Sequence, residues 1–198
     1  MMTMKKLTVG SLLGLTLLLG YGCNTEKKTD TVETAEETNE AMTDTMSGQT
    51  EDRMEEGSEF LVEAASGGMM EVELGQLAEK NASDAEVKAF GKRMVEDHGK
   101  ANEELKALAA TKNITLPTAP GEDHQKHITE LSALTGAEFD KKYVDMMEKD
   151  HQEDITSFEN ATQDNEMDAD IKAFAQKTLP TLRAHHDTVK KLDERINK

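Results

Sequence analysis

Three histidines, His98, His151 and His185, stand where amphipathic helices would carry an apolar residue. Steps of four and three around the first give Val87, Gly91, Met94, His98, Ala101, Leu105 and Leu108. Around the second they give Val144, Met147, His151, Ile155 (or Asp154) and Phe158. The third seam runs Ile171, Ala175, Thr178, Leu182, His185, Val189, Leu192, Ile196, and a fourth stripe, Ala64, Gly68, Glu71, Gly75, Ala78, has a carboxylate in the matching place. Imidazole with carboxylate suits zinc, iron, copper or manganese, and Glu148, Asp97 and Asp150 supply further acids. Glu148 and His151 are three apart, the Glu-x-x-His spacing of carboxylate-bridged di-metal bundles. The second copy of that spacing is missing, because Val95 precedes His98 by three and Leu182 precedes His185 by three. A softer variant pairs Met94 with His98 and Met147 with His151, each four apart, a combination suited to copper(I). Methionine more commonly fills gaps in a core.

A bland reading stands beside these. Each histidine is satisfied by a carbonyl or a carboxylate, and the polar residues form a buried network that fixes how the helices register. On that reading the domain is a non-catalytic structural, stress-related or partner-binding module, and this is the leading expectation. The alternative is a bundle binding iron, zinc or copper; a ferritin-like oxidase stands behind both. Rise along a helix puts the four polar residues at heights differing by up to about 10 Å, so that two or three of them meet. Nucleophilic catalysis has no support, for there is no Ser-His-Asp pattern and no Gly-rich phosphate loop. His124 and His127, near a loop, and His186, off the seam, read as solvated.

The elements that must hold these residues follow from caps and breakers. Ser58 opens a first helix to about residue 80, whose buried face is either the stripe with Glu71 or the one with Leu61, Ala65, Met69 and Val72. Ser83 with Glu86 makes a capping box for a second helix ending near Asn113. Pro117, Pro120 and Gly121 mark a loop, and a short helix spans roughly 123–134. Thr135 with Glu138 opens a third helix to about residue 162, and Asp168 caps a fourth that contains Pro180, which should bend it. The link between the second and third long helices either turns back locally or traverses the bundle.

Ahead of this lies a different composition. Lys5 and Lys6 precede an apolar run from Leu7 to Leu19 and then Gly20-Tyr21-Gly22-Cys23, so that residues 1–22 read as an export signal. The cysteine just after the run resembles a lipobox, with lipidation expected at Cys23, although Gly20 replaces the usual Leu. Asn24 resembles the residue following the cysteine in lipoproteins sent to an outer membrane. Residues 23–57, rich in Thr and Glu, read as a disordered acidic tether. The expectation is a lipid-anchored protein facing the periplasm or in the outer membrane, with the membrane and an envelope protein as partners. A net charge of −17, from 40 acidic and 23 basic residues, repels phosphate backbones and argues against nucleic acid.

The sequence also repeats. Asp84-Ala85-Glu86-Val87-Lys88-Ala89-Phe90 matches Asp168-Ala169-Asp170-Ile171-Lys172-Ala173-Phe174, and Met69-Met70-Glu71 matches Met146-Met147-Glu148. Two similar helical hairpins and no strand-type alternation predict an all-α fold over residues 58–198, a four-helix bundle with a short connecting helix. The run Glu71 to Ala78, the block Met94-Val95-Glu96-Asp97-His98, Phe139-Asp140 with Tyr143, Asp150-His151, and Thr178-Leu179-Pro180 ahead of His185 together resemble one bacterial family. It comprises exported domains of unknown function, often labelled membrane or outer-membrane proteins. The resemblance covers about residues 58–197, implies a ferritin-like bundle and carries no agreed activity.

Overall fold

The computed structural model describes residues 30–44, 46 and 48–198. The signal segment and Cys23 lie outside them. Four long helices, α2 (Gln49–Asn81), α3 (Ala85–Lys112), α5 (Gly136–Gln163) and α6 (Ala169–Ile196), form the bundle, with α1 (Thr31–Thr43) and α4 (Glu122–Ser132) on its outside. No helix among the described residues is long and apolar enough to cross a membrane.

Asp84 and Asp168 cap α3 and α6 in the same way, each accepting from the second and third backbone N–H groups that follow it. The repeat therefore marks two equivalent helix starts. Ser83 does not complete a box with Glu86; its backbone and hydroxyl bond the buried carboxylate of Asp140 at the start of α5, which also accepts from the Asp84 N–H. Thr135 is the N-cap of α5 without a side-chain capping bond. α6 continues through Pro180.

The Ser83–Asp140 contact also settles the topology. The α2–α3 turn, the start of α5 and the end of α6, where Arg195 reaches Asp84, share one end of the bundle. At the other end Lys112 of α3 bonds Asp168 at the start of α6. Thus α3 and α5 run parallel, and the link carrying α4 crosses the length of the bundle, as in ferritin-like folds. Helices α2 and α3 meet almost backbone to backbone. A Cβ on Gly75 would lie 2.6 Å from the Gly91 carbonyl oxygen, and one on Gly91 would lie 2.6 Å from the Ala78 Cβ.

The tether expectation is corrected over part of its length. Thr31–Thr43 is helical and packs on the bundle, with Ala35, Asn39 and Thr43 buried, and α2 begins at Gln49 rather than Ser58. The segment has little apolar surface to bury; polar pairing docks it instead. The Asn39 amide donates to the Thr115 carbonyl and accepts the Thr115 N–H. One carboxylate oxygen of Asp30 caps α1 and the other accepts from Glu122 at the start of α4.

Candidate functional site

The apolar interior is divided in two. One cluster holds Met70, Leu74, Met94, Met147 and Val189 towards the α2–α3 turn; the other holds Leu61, Leu105, Ile155 and Leu182 towards the opposite end. Between them each long helix inserts one polar side chain, Glu71 from α2, His98 from α3, His151 from α5 and His185 from α6. All are buried, with exposures of 1%, 6%, 0% and 1%. The four residues meet despite the offsets expected from helical rise. The first helix buries Glu71 together with Leu61 and Ala65 of the other expected face, whose Met69 and Val72 are half-buried, and Gly75 on the Glu71 stripe gives α3 its close approach.

The imidazole centroids form a nearly equilateral triangle with sides of 5.2, 5.5 and 5.5 Å, and one ligating atom of each ring lies within 4.8 Å of the others. Phe90 stands edge-on to His185 at 6.2 Å. The hydrogen bonds around the triangle fix the tautomers. A carbonyl or carboxylate oxygen only accepts, so a ring nitrogen hydrogen-bonded to one carries a proton. His151 Nδ1 lies 3.0 Å from the Met147 carbonyl, His185 Nε2 lies 3.0 Å from Asp97 Oδ2, and His98 Nδ1 lies 2.5 Å from Glu71 Oε2. The ring nitrogens left over are His151 Nε2, His185 Nδ1 and His98 Nε2.

One of those nitrogens lacks a partner among the described residues and the other two are paired with each other. His98 Nε2 and His185 Nδ1 are 3.3 Å apart, and His151 Nε2 is 3.3 Å from Glu71 Oε1. His151 Nε2, Glu71 Oε1, Asp150 Oδ2 and the Tyr143 hydroxyl are buried without a hydrogen-bond partner among the described residues. Glu71, Asp150 and His151 also bring ligating atoms within 4.8 Å of one another. Only a proton or a cation between such atoms makes the arrangement favourable.

The charges are arranged to suit. Burial pushes the Glu71 carboxyl up, but the imidazoles of His98 and His151 outweigh it and hold the group below its usual value, as an anion. Burial pushes His98 down, and Glu71 more than restores it. Burial lowers His151 to about 4 and also lowers His185, with His98 adding to the fall, so both are neutral. Burial, followed by the Glu71 charge, raises the Asp150 and Asp154 carboxyls well above their ordinary range. The centre thus has one fixed anion, a His98 ring whose protonated form Glu71 favours, neutral rings at His151 and His185, and two acids held protonated.

Several predicted site residues stand elsewhere. Glu148 is half-buried on the outer face of α5 and lines a surface groove with Lys149, His186 and Lys190. The Glu-x-x-His spacing is therefore not used, because Glu148 and His151 diverge around the helix. Asp97 acts through His185, holding its outer nitrogen. Met94 and Met147 are fully buried in the apolar cluster, and the Met147 group bonded to His151 is its backbone carbonyl. Asp154 and Tyr143 belong to the centre; the first was legible only as the alternative to Ile155 on the seam, the second only through the family resemblance.

His124 is not solvated. Its Nδ1 lies 2.6 Å from Ser66 Oγ and its Nε2 lies 3.7 Å from Glu63. The order serine, histidine, acid resembles a nucleophilic triad, but Ser66 is fully buried and its oxygen already accepts from the Gly121 N–H. This group clamps α2 to the start of α4.

Fold and site together define an all-helical bundle with a buried histidine–carboxylate layer contributed by all four long helices. The chain belongs to the family described as Domain of unknown function (DUF4142), which matches residues 29–192. That match begins just before α1, in keeping with α1 being part of the folded unit. No curated protein and no solved structure matches the chain.

Proposed function

We propose that the domain binds one divalent transition-metal ion between His98, His151, His185 and Glu71, on an exported chain lipidated at Cys23 and held at the outer membrane. The observation that carries the reading is the convergence of the three rings, one ligating nitrogen of each lying within 4.8 Å of the others. Every imidazole has its outer nitrogen held by an oxygen acceptor, which is how metal-ligating histidines are oriented, and its other nitrogen turned toward the same small volume. A tetrahedral ion with metal–nitrogen bonds of about 2.05 Å sets its nitrogens about 3.3 Å apart, matching the 3.3 Å between His98 Nε2 and His185 Nδ1. Three nitrogens and one carboxylate oxygen suit zinc, with iron(II) and copper(II) as competitors. A carboxylate-bridged pair of irons is disfavoured because Glu148 faces outward.

The test is metal content and linkage. The exported protein, purified without an affinity tag, is analysed for bound metals, stripped, and titrated with zinc, iron(II) and copper(II) while its thermal midpoint is followed. The expected result is about one equivalent of ion and a midpoint that climbs with free metal by mass action. A midpoint unmoved by every ion, or moved equally in His151→Ala, overturns the reading. Fatty-acid labelling lost in Cys23→Ser tests the anchor. The acidic surface favours a basic envelope partner over nucleic acid.

A further inference from the structure

Beside the proposed centre lies a cavity of about 20 Å3 whose wall includes Glu71 and His98. Room for a single water requires on the order of 10–15 Å3. The space exists because α2 presents Ala64 and Gly68 there; a Cβ on Gly68 would collide with the Asn102 amide across it. Its polar groups are Asp154, Asn102 and Thr178, and the rest of the wall is apolar, including Phe158 and Leu182. Thr178 donates its hydroxyl proton to the Phe174 carbonyl, which leaves the oxygen lone pairs to accept from whatever occupies the cavity.

From this geometry we infer that the cavity is a ligand site on the bound ion, admitting one exchangeable ligand of water to azide size at the Glu71–His98 edge. The inference rests on the metal reading. Water or hydroxide there has an acceptor in Thr178, an amide in Asn102 and a carboxyl in Asp154, within the two to four polar partners that an ordered water requires. Zinc and similar ions expand from four to five ligands, so occupancy leaves the protein ligands in place. A ring-sized ligand is excluded by volume. The centre thereby becomes selective by size for small oxygen- or nitrogen-donor molecules.

Cobalt(II) in place of zinc gives visible bands that report coordination number. The full exported chain is loaded with cobalt, its bound cobalt is counted, and azide and imidazole are titrated separately. Azide is expected to weaken and shift the cobalt bands saturably, and imidazole is expected to leave them unchanged. Ala64→Leu and Gly68→Ala, which fill the cavity without removing a ligand, should keep the cobalt and weaken azide binding at least about tenfold, an effect of about 1.4 kcal/mol. Bound cobalt with no azide response in the wild type overturns this inference and leaves the metal reading intact. An azide response undiminished in whichever of the two variants retains cobalt overturns the route through this cavity. No bound cobalt, zinc or iron in the wild type overturns the metal reading, and this inference with it.

Discussion

Replacing Glu71 with Gln separates a metal centre from a structural network by the sign of its effect. Gln has the shape of Glu, so the packing around position 71 is kept. Its carbonyl oxygen accepts from His98 Nδ1–H as Oε2 does now, at 2.5 Å. Its amide group then points at His151 Nε2, where a lone pair now faces Oε1 at 3.3 Å. An acceptor–acceptor contact becomes a hydrogen bond, and a buried charge disappears. Satisfying a buried acceptor is worth about 1–3 kcal/mol, and a domain of this size gains about 2–4 °C in midpoint per kcal/mol. The metal-free Glu71→Gln protein should therefore melt about 2–12 °C above the metal-free wild type. The same substitution removes the anionic ligand and occupies the lone pair of His151. Zinc at a hundred times its wild-type dissociation constant adds about 2.7 kcal/mol to the wild type and should add almost nothing to the variant. Differential scanning calorimetry of both proteins, with chelator and with zinc, reads all four midpoints. If the centre is instead an ion-paired network, the substitution removes one partner of the buried Glu71–His98 pair and costs stability, by up to about 3–5 kcal/mol. A metal-free variant that melts below the wild type by such an amount, or one that still gains several degrees from zinc, refutes the reasoning.

Three other outcomes follow from the packing and the pairs. Gly91→Ala should lower the midpoint even though alanine favours helix by about 1 kcal/mol, because its Cβ would meet the Ala78 Cβ and the Gly75 carbonyl oxygen at 2.6 and 2.8 Å; a net loss of about 1–2 kcal/mol in urea titration is expected. Ser66→Ala leaves the Gly121 N–H without its acceptor and should cost about 1–3 kcal/mol in the same titration, with no loss of bound metal. Asp84, held by the Arg195 guanidinium at about 2 against an ordinary 3.8, is depressed in the folded state, so its contribution is complete above pH 4 and fades as pH falls towards 2. Screening at this partly exposed pair reduces the effect to about 1 kcal/mol. The stability difference between wild type and Asp84→Asn should accordingly be present at pH 6 and close by pH 2.

The long helices were legible because their seams, Asp168 and the breakers at Pro117 to Gly121 are local signals. The Asp84–Asp168 repeat correctly marks two equivalent hairpins. It fails at the site, where it equates Glu71 with Glu148: the first lies on an interior stripe of small residues, and the second faces solvent beside Lys149. Which acid turns inward depends on how each helix rotates against its neighbours, and that is set by contacts such as Gly75 against Gly91, distant in sequence. The crossover was undecidable for the same reason, since it hangs on Ser83 meeting Asp140. Helix α1 was misread because its docking uses Asn39 and Asp30 rather than apolar burial, and composition counts only the latter.

The cost of the polar layer bears on what it is for. Four buried polar atoms, Glu71 Oε1, Asp150 Oδ2, His151 Nε2 and Tyr143 OH, have no partner among the described residues. Asp150, once protonated, hydrogen-bonds Glu71, which leaves His151 Nε2 and the Tyr143 hydroxyl; at about 1–3 kcal/mol each these cost a sizeable part of the stability of an ordinary domain, about 5–15 kcal/mol. A network selected only to fix helix register would be expected to close its hydrogen bonds, and the tools were present, since Gln at 71 satisfies His151 by the change of one atom. Instead, the outer nitrogens of all three rings are satisfied, the inner nitrogens of His98 and His185 turn on one another, and that of His151 is left without a partner among the described residues. Acceptors on the outer nitrogens and one ligating nitrogen of each ring drawn within 4.8 Å of the others are together the arrangement that a cation requires.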